Sequence, residues 1–255
     1  MSSDLSVTVK DHVAVLEMRR PPANHFDEAL IGRIVDAATE LDHDRACRVI
    51  ILASQGKHFC AGADFSGGEF ALDQAAAAER LYRRAARLFD VRTPMIAAVQ
   101  GTAVGGGLGL ACAADFRVAE PATRFVANFA KLGFHQGFAL SVTLPDLIGR
   151  QAASGMLLTG RRVGGEEAVR LGLADRLAEP GRLREVAHEL AAEIAAAAPL
   201  AVRSMRATLR ADLAARVRQA LDHELAEQMV LWQTHDSAEG IRASLERRPP
   251  VFRGE

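Results

Sequence analysis

Two periodicities share the first forty residues. In "SVTVKDHVAVLEM", Val7 and Val9 occupy alternate positions, then Val13 and Val15 do the same, and the apolar run continues through Leu16 and Met18. Such alternation on both sides of Lys10-Asp11-His12 predicts a β-hairpin. "RPPAN" then breaks regular structure. Leu30, Ile31, Ile34, Val35, Ala38 and Leu41 recur three and four apart, which predicts an amphipathic helix capped by Asp27. "RVIILAS", 48–54, and "MIAAVQ", 95–100, are continuous apolar runs, expected as strands covered on both faces. A helix over 74–90 places Leu81, Ala85, Leu88 and Phe89 inward. "GGLGLACAA" opens another helix, and "DFRVAE" and "TRFVA" read as short strands. Helices over 137–148 and 151–158 follow, and "AVRLGLADRLAE" pairs a short helix with a strand. Beyond Gly181 the pattern is helical, with Pro199 at a helix start, where its missing N–H costs little. Strands alternating with helices, then helices alone, predict an α/β chain with a helical tail.

Composition narrows the picture. The chain has 255 residues, 49% of them hydrophobic, enough for one well-buried core or two small ones. A net charge of −1 offers no basic surface, so neither a nucleic-acid nor a membrane partner is expected. Cys47, Cys60 and Cys112 are widely spread without paired spacing, which argues against a disulfide scaffold and for a reducing cytoplasm. "MSSDLSVTVK" lacks the basic and apolar regions of a signal peptide. The apolar stretch from Met95 to Ala114 contains Gln100, Thr102 and three consecutive glycines, and reads as strand, loop and helix rather than a membrane span. Dinucleotide, P-loop, zinc-protease and nucleophile-elbow patterns are absent; Leu110 stands where a third fingerprint glycine would be needed, and His223-Glu224 lacks the second histidine of HExxH. No metal-ligand spacing occurs, and no metal is expected.

Two loops are stripped of side chains: "FCAGAD", 59–64, and "GTAVGGGLG", 101–109. Each follows a buried strand and leads into a helical segment. Backbone N–H groups at a helix start are unpaired and sit at the positive end of its dipole. Two such groups facing one point form an oxyanion hole able to polarise a carbonyl and stabilise an enolate. A single glycine triplet would be explained by tight strand–helix packing; the pair of loops favours the oxyanion hole.

"KHFCAGADF", "PMIAAVQGTAVGGGLGLACAADFRVA", "LLTGRRVGGEEAVRLGLADRLA" and "DSAEGIRASLERRPPVFRG", in that order, resemble the crotonase superfamily, the enoyl-CoA hydratase/isomerase family, over nearly the whole chain. The resemblance implies a spiral of ββα units over 1–195 and a C-terminal helical region, 196–255, that forms a homotrimer or dimer of trimers. It implies acyl-CoA thioesters as substrates, with coenzyme A arriving on the substrate and no cofactor permanently bound. Position by position, Ala63 and Gly106 would supply the oxyanion N–H groups. The segment from Ala23 to His25 would lie against CoA, flanked by Ala61 and Phe65, with Asp64 capping that loop. Asp115 matches a structural aspartate.

The chain also departs from that pattern. Family hydratases carry one glutamate two residues after the glycine triplet, where Gly109 stands, and another in a "PE" pair, replaced here by Asn128-Phe129. Dehalogenase-like members carry an aspartate at the position of Gly137, and naphthoate-synthase-like members at that of Gln136. Neither Gly nor Phe transfers a proton. His135 is then the remaining candidate acid/base near the acyl pocket, with Gln136 and Asn128 able to position water or a carbonyl. Phe129, Phe134 and Phe138 suggest an apolar, aromatic-lined pocket. The leading expectation is an acyl-CoA enzyme that stabilises an enolate or oxyanion without the two glutamates. The alternatives are a non-catalytic acyl-CoA binding protein, and a decarboxylase or thioester hydrolase using His135.

Overall fold

A computed structural model describes residues 4–63 and 74–255. The hairpin forms where alternation places it: β1 (Leu5–Lys10) runs antiparallel to β2 (Val13–Met18), with Leu5 opposite Met18. β3 (Val49–Ser54) and β4 (Met95–Val99) add in parallel, and every residue of both is buried. β5 (Thr102–Val104), β6 (Phe116–Ala119), β7 (Arg124–Val126), β8 (Arg162–Gly164) and β9 (Arg176–Leu177) complete the strands of the described residues. They form a six-stranded sheet ordered β1-β2-β3-β4-β6-β9 and a three-stranded sheet ordered β5-β7-β8. β5 and β8 are three residues each, too short to show a periodicity, and were not foreseen.

The continuous apolar runs have the expected cause. One face of the large sheet, with Val49, Ile51, Ile96, Ala98 and Val118, packs against Leu183, Ala187 and Leu190 of the helix Leu183–Ala196. The other face, with Leu16, Ile50, Leu52, Ala97 and Val99, joins the main core. Strands covered on both faces have no polar side to alternate.

The helices are α1 (Glu28–His43), α2 (Gln74–Ala86), α3 (Gly106–Ala113), α4 (Leu140–Thr159), α5 (Gly165–Leu171), α6 (Leu183–Ala196), α7 (Pro199–Leu209), α8 (Leu213–Leu231) and α9 (His235–Glu246). The Asp27 carboxylate accepts from the Leu30 N–H and caps α1, and the six predicted apolar positions of α1 are buried. The two helices predicted across 137–158 are present and meet at a kink at non-helical Gly149; the label α4 covers both. Asp115 is structural: it accepts from Arg206, Arg210 and the Met95 N–H, tying α7 to the sheet. Burial acts to raise its pKa, but the two guanidiniums and the hydrogen bonds outweigh burial and hold it below the usual carboxylate range. Among the described residues no helix is long and apolar enough to cross a membrane, and no group of three or more His, Cys, Asp or Glu could hold a metal ion.

Candidate active site

The two small-residue loops are laced to each other. Cys60 N–H donates to the Thr102 carbonyl at 3.1 Å, and Val104 N–H donates to the Cys60 carbonyl at 3.0 Å. This short parallel pairing continues past β5 into α3. Gly107 must be glycine here, because a Cβ would lie 2.2 Å from the Cys60 carbonyl oxygen. Gly105, with φ 54° and ψ −120°, caps α3 in a conformation that side chains resist. Gly106 is the first helical residue, so its N–H has no acceptor within the helix. On the other loop, Phe26 N–H donates to the Gly62 carbonyl, and among the described residues no acceptor is recorded for the Ala63 N–H.

Both loops border one pocket. Its lining includes Ala61, Gly62 and Ala63 from the first loop and Val104, Gly105 and Gly106 from the second. Phe26, Phe129, Phe134 and Phe138 supply aromatic walls, joined by Leu81, Tyr82 and Ala78 of α2 and by Gln228 and Trp232 at the end of α8. About 610 Å³ of empty space lies within this lining, its mouth included. Cys60, beneath the first loop, is buried, and burial pushes its thiol up to about 12. It packs as a small apolar group.

The remaining predicted residues fall in several places. Asn128 lines the pocket, with its Oδ1 3.2 Å from where a Gly105 Cβ would stand. The Ala23 carbonyl accepts from the Ala61 N–H at 2.9 Å, and His25 Nδ1 lies 3.3 Å from the Gly62 carbonyl oxygen, so this segment braces the first loop without lining the pocket. Asp64 and Phe65 lie outside the described residues.

His135, expected beside the acyl pocket, lies elsewhere on its loop. It does not line the pocket. Its Nδ1 lies 2.8 Å from the Gln136 carbonyl oxygen, and its ring packs edge-on against exposed His223. Gln136 is also absent from the lining; its amide donates to Ser141 Oγ at 3.0 Å. Phe138 and Ala139 take positive φ values of 60°, and the Phe138 ring packs beside Gly106 and Gly109 of α3.

Neighbouring side chains fill the space beside Gly109 and Gly137, which were expected at the pocket and do not line it. A Cβ on Gly109 would lie 2.6 Å from Phe138 Cβ and 2.8 Å from its Cδ1. The space beside Gly109 is filled by an aromatic side chain. A Cβ on Gly137 would lie 2.0 Å from the hydroxyl oxygen of Tyr82, so that space holds a phenol. Among the described residues the lining contains no carboxylate and no histidine; Tyr82 is its one titratable side chain.

Four residues here were not foreseen. Tyr82 hydroxyl donates to Gln228 Oε1 at 2.9 Å, and Gln228 Nε2 donates to the His135 carbonyl at 2.9 Å. Burial pushes the Tyr82 phenol up, keeping it neutral. Glu224, one helical turn before Gln228, is fully buried and accepts from the Ala139 and Ser141 N–H groups at 2.8 Å each. It caps α4 and pins the positive-φ pair that carries Phe138. Burial raises its carboxyl to about 7 against those donors. Trp232, a turn beyond Gln228, completes the stripe. The i, i+4, i+8 spacing of Glu224, Gln228 and Trp232 was visible, but α8 carries polar residues on every side and that stripe did not stand out.

The comparisons agree with this architecture. The Enoyl-CoA hydratase/isomerase family model matches residues 8–255. The chain is 34% identical over 262 residues to (E)-benzylidenesuccinyl-CoA hydratase of Thauera aromatica, covering 98% of this chain and 99% of that one. It is 32% identical over 260 residues to carnitinyl-CoA dehydratase of Salmonella typhi, covering all of both chains. A solved enoyl-CoA hydratase/isomerase from Pseudoalteromonas atlantica T6c superposes with a TM-score of 0.89 at 26% identity, over 98% of this chain and 100% of that one. The full-length match, the sheet order and the paired glycine loops lead to one conclusion: the chain belongs to the enoyl-CoA hydratase/isomerase family of the crotonase superfamily.

Proposed function

We propose that the protein binds an acyl-CoA thioester, places its carbonyl oxygen between the N–H groups of Ala63 and Gly106, and stabilises an enolate or oxyanion there, without two-glutamate hydration. The single observation that carries this reading is the pocket wall: the glycine loops border it with bare backbone, while Phe138 fills the space beside Gly109. Oriented N–H groups at a helix start in an apolar, water-poor pocket are worth far more than in water. Asn128, beside Gly105, is placed to orient a water or the substrate carbonyl. Coenzyme A comes and goes with the substrate, against Ala23, His25 and Ala61. No cofactor is held between turnovers, and the buried free thiols of Cys47, Cys60 and Cys112 suit a reducing cytoplasm. Residues 196–255 act as the oligomerisation region after a core over 1–195. α7 there has no buried residue and exposes Leu200 at 82% and Leu209 at 84%, an apolar surface suited to a trimer or dimer of trimers.

A second reading, a non-catalytic acyl-CoA binding protein, is favoured by a lining that offers no carboxylate or histidine among the described residues. A mechanism through His135 is not carried forward, because its ring is bound outside the pocket. Turnover of crotonyl-CoA and of a panel of β-hydroxy, malonyl-type and aryl acyl-CoAs separates the readings. Crotonyl-CoA hydration should fall roughly 10²-fold or more below that of a carboxylate-equipped enzyme, some other thioester should react, and His135→Ala should stay within about twofold of the parent. Robust crotonyl-CoA hydration overturns the non-hydratase reading. Tight binding with no turnover of any thioester selects the binding protein.

A further inference from the structure

Resting on the reading of the pocket as an acyl site, we infer that Asn128 is a specificity-determining residue. Its amide oxygen receives a hydroxyl carried by the acyl group within one or two carbons of the thioester. Asn128 stands just before the 3₁₀ turn Phe129–Leu132, with φ −83° and ψ 9°. An asparagine in such a place ordinarily turns its side chain onto the N–H groups of the turn it precedes. Here it makes no such cap. Among the described residues no hydrogen bond is recorded for its amide, and neither amide atom is sealed from solvent.

The amide oxygen edges the cavity itself. Gly105 and Asn128 both line the pocket. Apart from the neighbours of Gly105 in the chain, only two atoms come within 4 Å of the point where its Cβ would stand: Asn128 Oδ1 at 3.2 Å and Phe129 Cζ at 3.7 Å. The rest of that surrounding is open. Gly105 is bonded to Gly106, whose N–H is the proposed oxyanion donor. The 3.2 Å gap and the intervening bonds place Oδ1 within about 7 Å of that nitrogen. A thioester carbonyl and a hydroxyl on a nearby carbon span such a distance with one hydrogen bond each. A hydroxyl at the far end of a long chain does not.

The other polar side chains of the lining are taken. The Tyr82 hydroxyl is committed to Gln228, and the Gln228 amide to Tyr82 and the His135 carbonyl. Trp232 Nε1 has no accessible surface. A carboxamide oxygen accepts and does not donate, so it suits a hydroxyl and not a ketone. An unreactive apolar acyl chain would strip its water and return nothing, whereas a hydroxyl on the ligand restores the bond. A bound water is a poorer occupant, since the aromatic side of the lining offers it few partners.

The test compares butanoyl-CoA, the separate enantiomers of 2- and 3-hydroxybutanoyl-CoA, and 3-oxobutanoyl-CoA. Affinity is read by calorimetry, or as KM for any compound that is turned over. The best hydroxy isomer should bind about three- to tenfold tighter than butanoyl-CoA, the size of one net hydrogen bond, and the 3-oxo compound should not. Asn128→Leu should bring the hydroxy preference to about one, and Asn128→Asp, which keeps an acceptor oxygen, should retain it. No hydroxy preference in the parent protein, or an equal gain for the 3-oxo compound, overturns the assignment. So does a preference that survives in Asn128→Leu or is lost in Asn128→Asp. If Asn128→Leu does not fold, Asn128→Ala gives the same readout. Failure of every thioester to bind, butanoyl-CoA included, instead overturns the acyl-CoA reading on which this inference stands.

Discussion

The pocket has two walls built in opposite ways. The glycine-loop wall presents backbone: Gly62, Ala63, Gly105 and Gly106 bring almost no side chain, and at Gly106 the packing leaves no room for one. A Cβ on Gly106 would meet Phe26 at 2.5 Å, and one on Gly107 the Cys60 carbonyl oxygen at 2.2 Å. The facing wall, from α2, the 134–139 loop and α8, is all side chain: Tyr82, Phe134, Phe138, Gln228 and Trp232, braced by Glu224. Backbone polarity is the same whatever the residue, so the first wall can serve any member of the family that binds a thioester. Side chains differ in shape and hydrogen bonding, so under the proposed function the second wall is where the choice of acyl group would reside. The comparison teaches that the two walls are coupled through packing. The space beside Gly109 was taken by Phe138, and the loop bearing that ring is held from the helical wall by Glu224.

The comparison breaks most sharply at Gly106. Alanine and proline there both place a Cβ against Phe26, but only proline removes the N–H, at a helix position that tolerates it. The turnover number of Gly106→Pro on any accepted thioester should fall about 10²–10³-fold further than that of Gly106→Ala. Equal losses would take Gly106 out of the oxyanion hole. Next in size is Gly109→Glu. It should lower stability by roughly 2–4 kcal/mol in chemical denaturation, since its side chain must displace Phe138. Phe138→Ala in the same chain should recover part of that loss. A stable Gly109→Glu protein that hydrates crotonyl-CoA would mean that the two walls are not coupled through Phe138.

The smallest effect is the pH dependence set by Glu224. Its folded carboxyl is raised to about 7 from an ordinary 4.5, so the folded chain holds this proton more tightly than the unfolded chain. The stabilisation is fully present below pH 4.5 and is lost as pH rises through 7, by up to about 2–3 kcal/mol. Glu224→Gln removes this titration. Its unfolding free energy should therefore decline less than that of the parent across this window. Parallel curves would show that Glu224 does not carry the dependence.

Much of this was legible in the sequence, and the exceptions have physical causes. The hairpin, α1 with its Asp27 cap, the doubly buried β3 and β4, and the helical C-terminal part follow from local periodicity. The bare loops were legible because glycine triplets after buried strands are rare and have few uses. His135 stands apart from the lining, its ring against the Gln136 carbonyl and against His223, a partner remote in sequence. Gln228 was hidden among the charged positions of α8, and Tyr82 is 146 residues away from it in the chain.

The sequence by itself therefore determined the longer elements, the burial of the central strands and the two backbone loops, because each is written in spacing between near neighbours, and its ordered motifs carried the resemblance to the family. Tertiary structure alone decided what stands opposite those loops. Packing chose Phe138 to fill the space beside Gly109, set the Tyr82 hydroxyl against Gly137 and buried Glu224 at the start of α4. These are contacts between segments remote in sequence. Which groups meet there depends on how whole helices pack, and no local pattern encodes that.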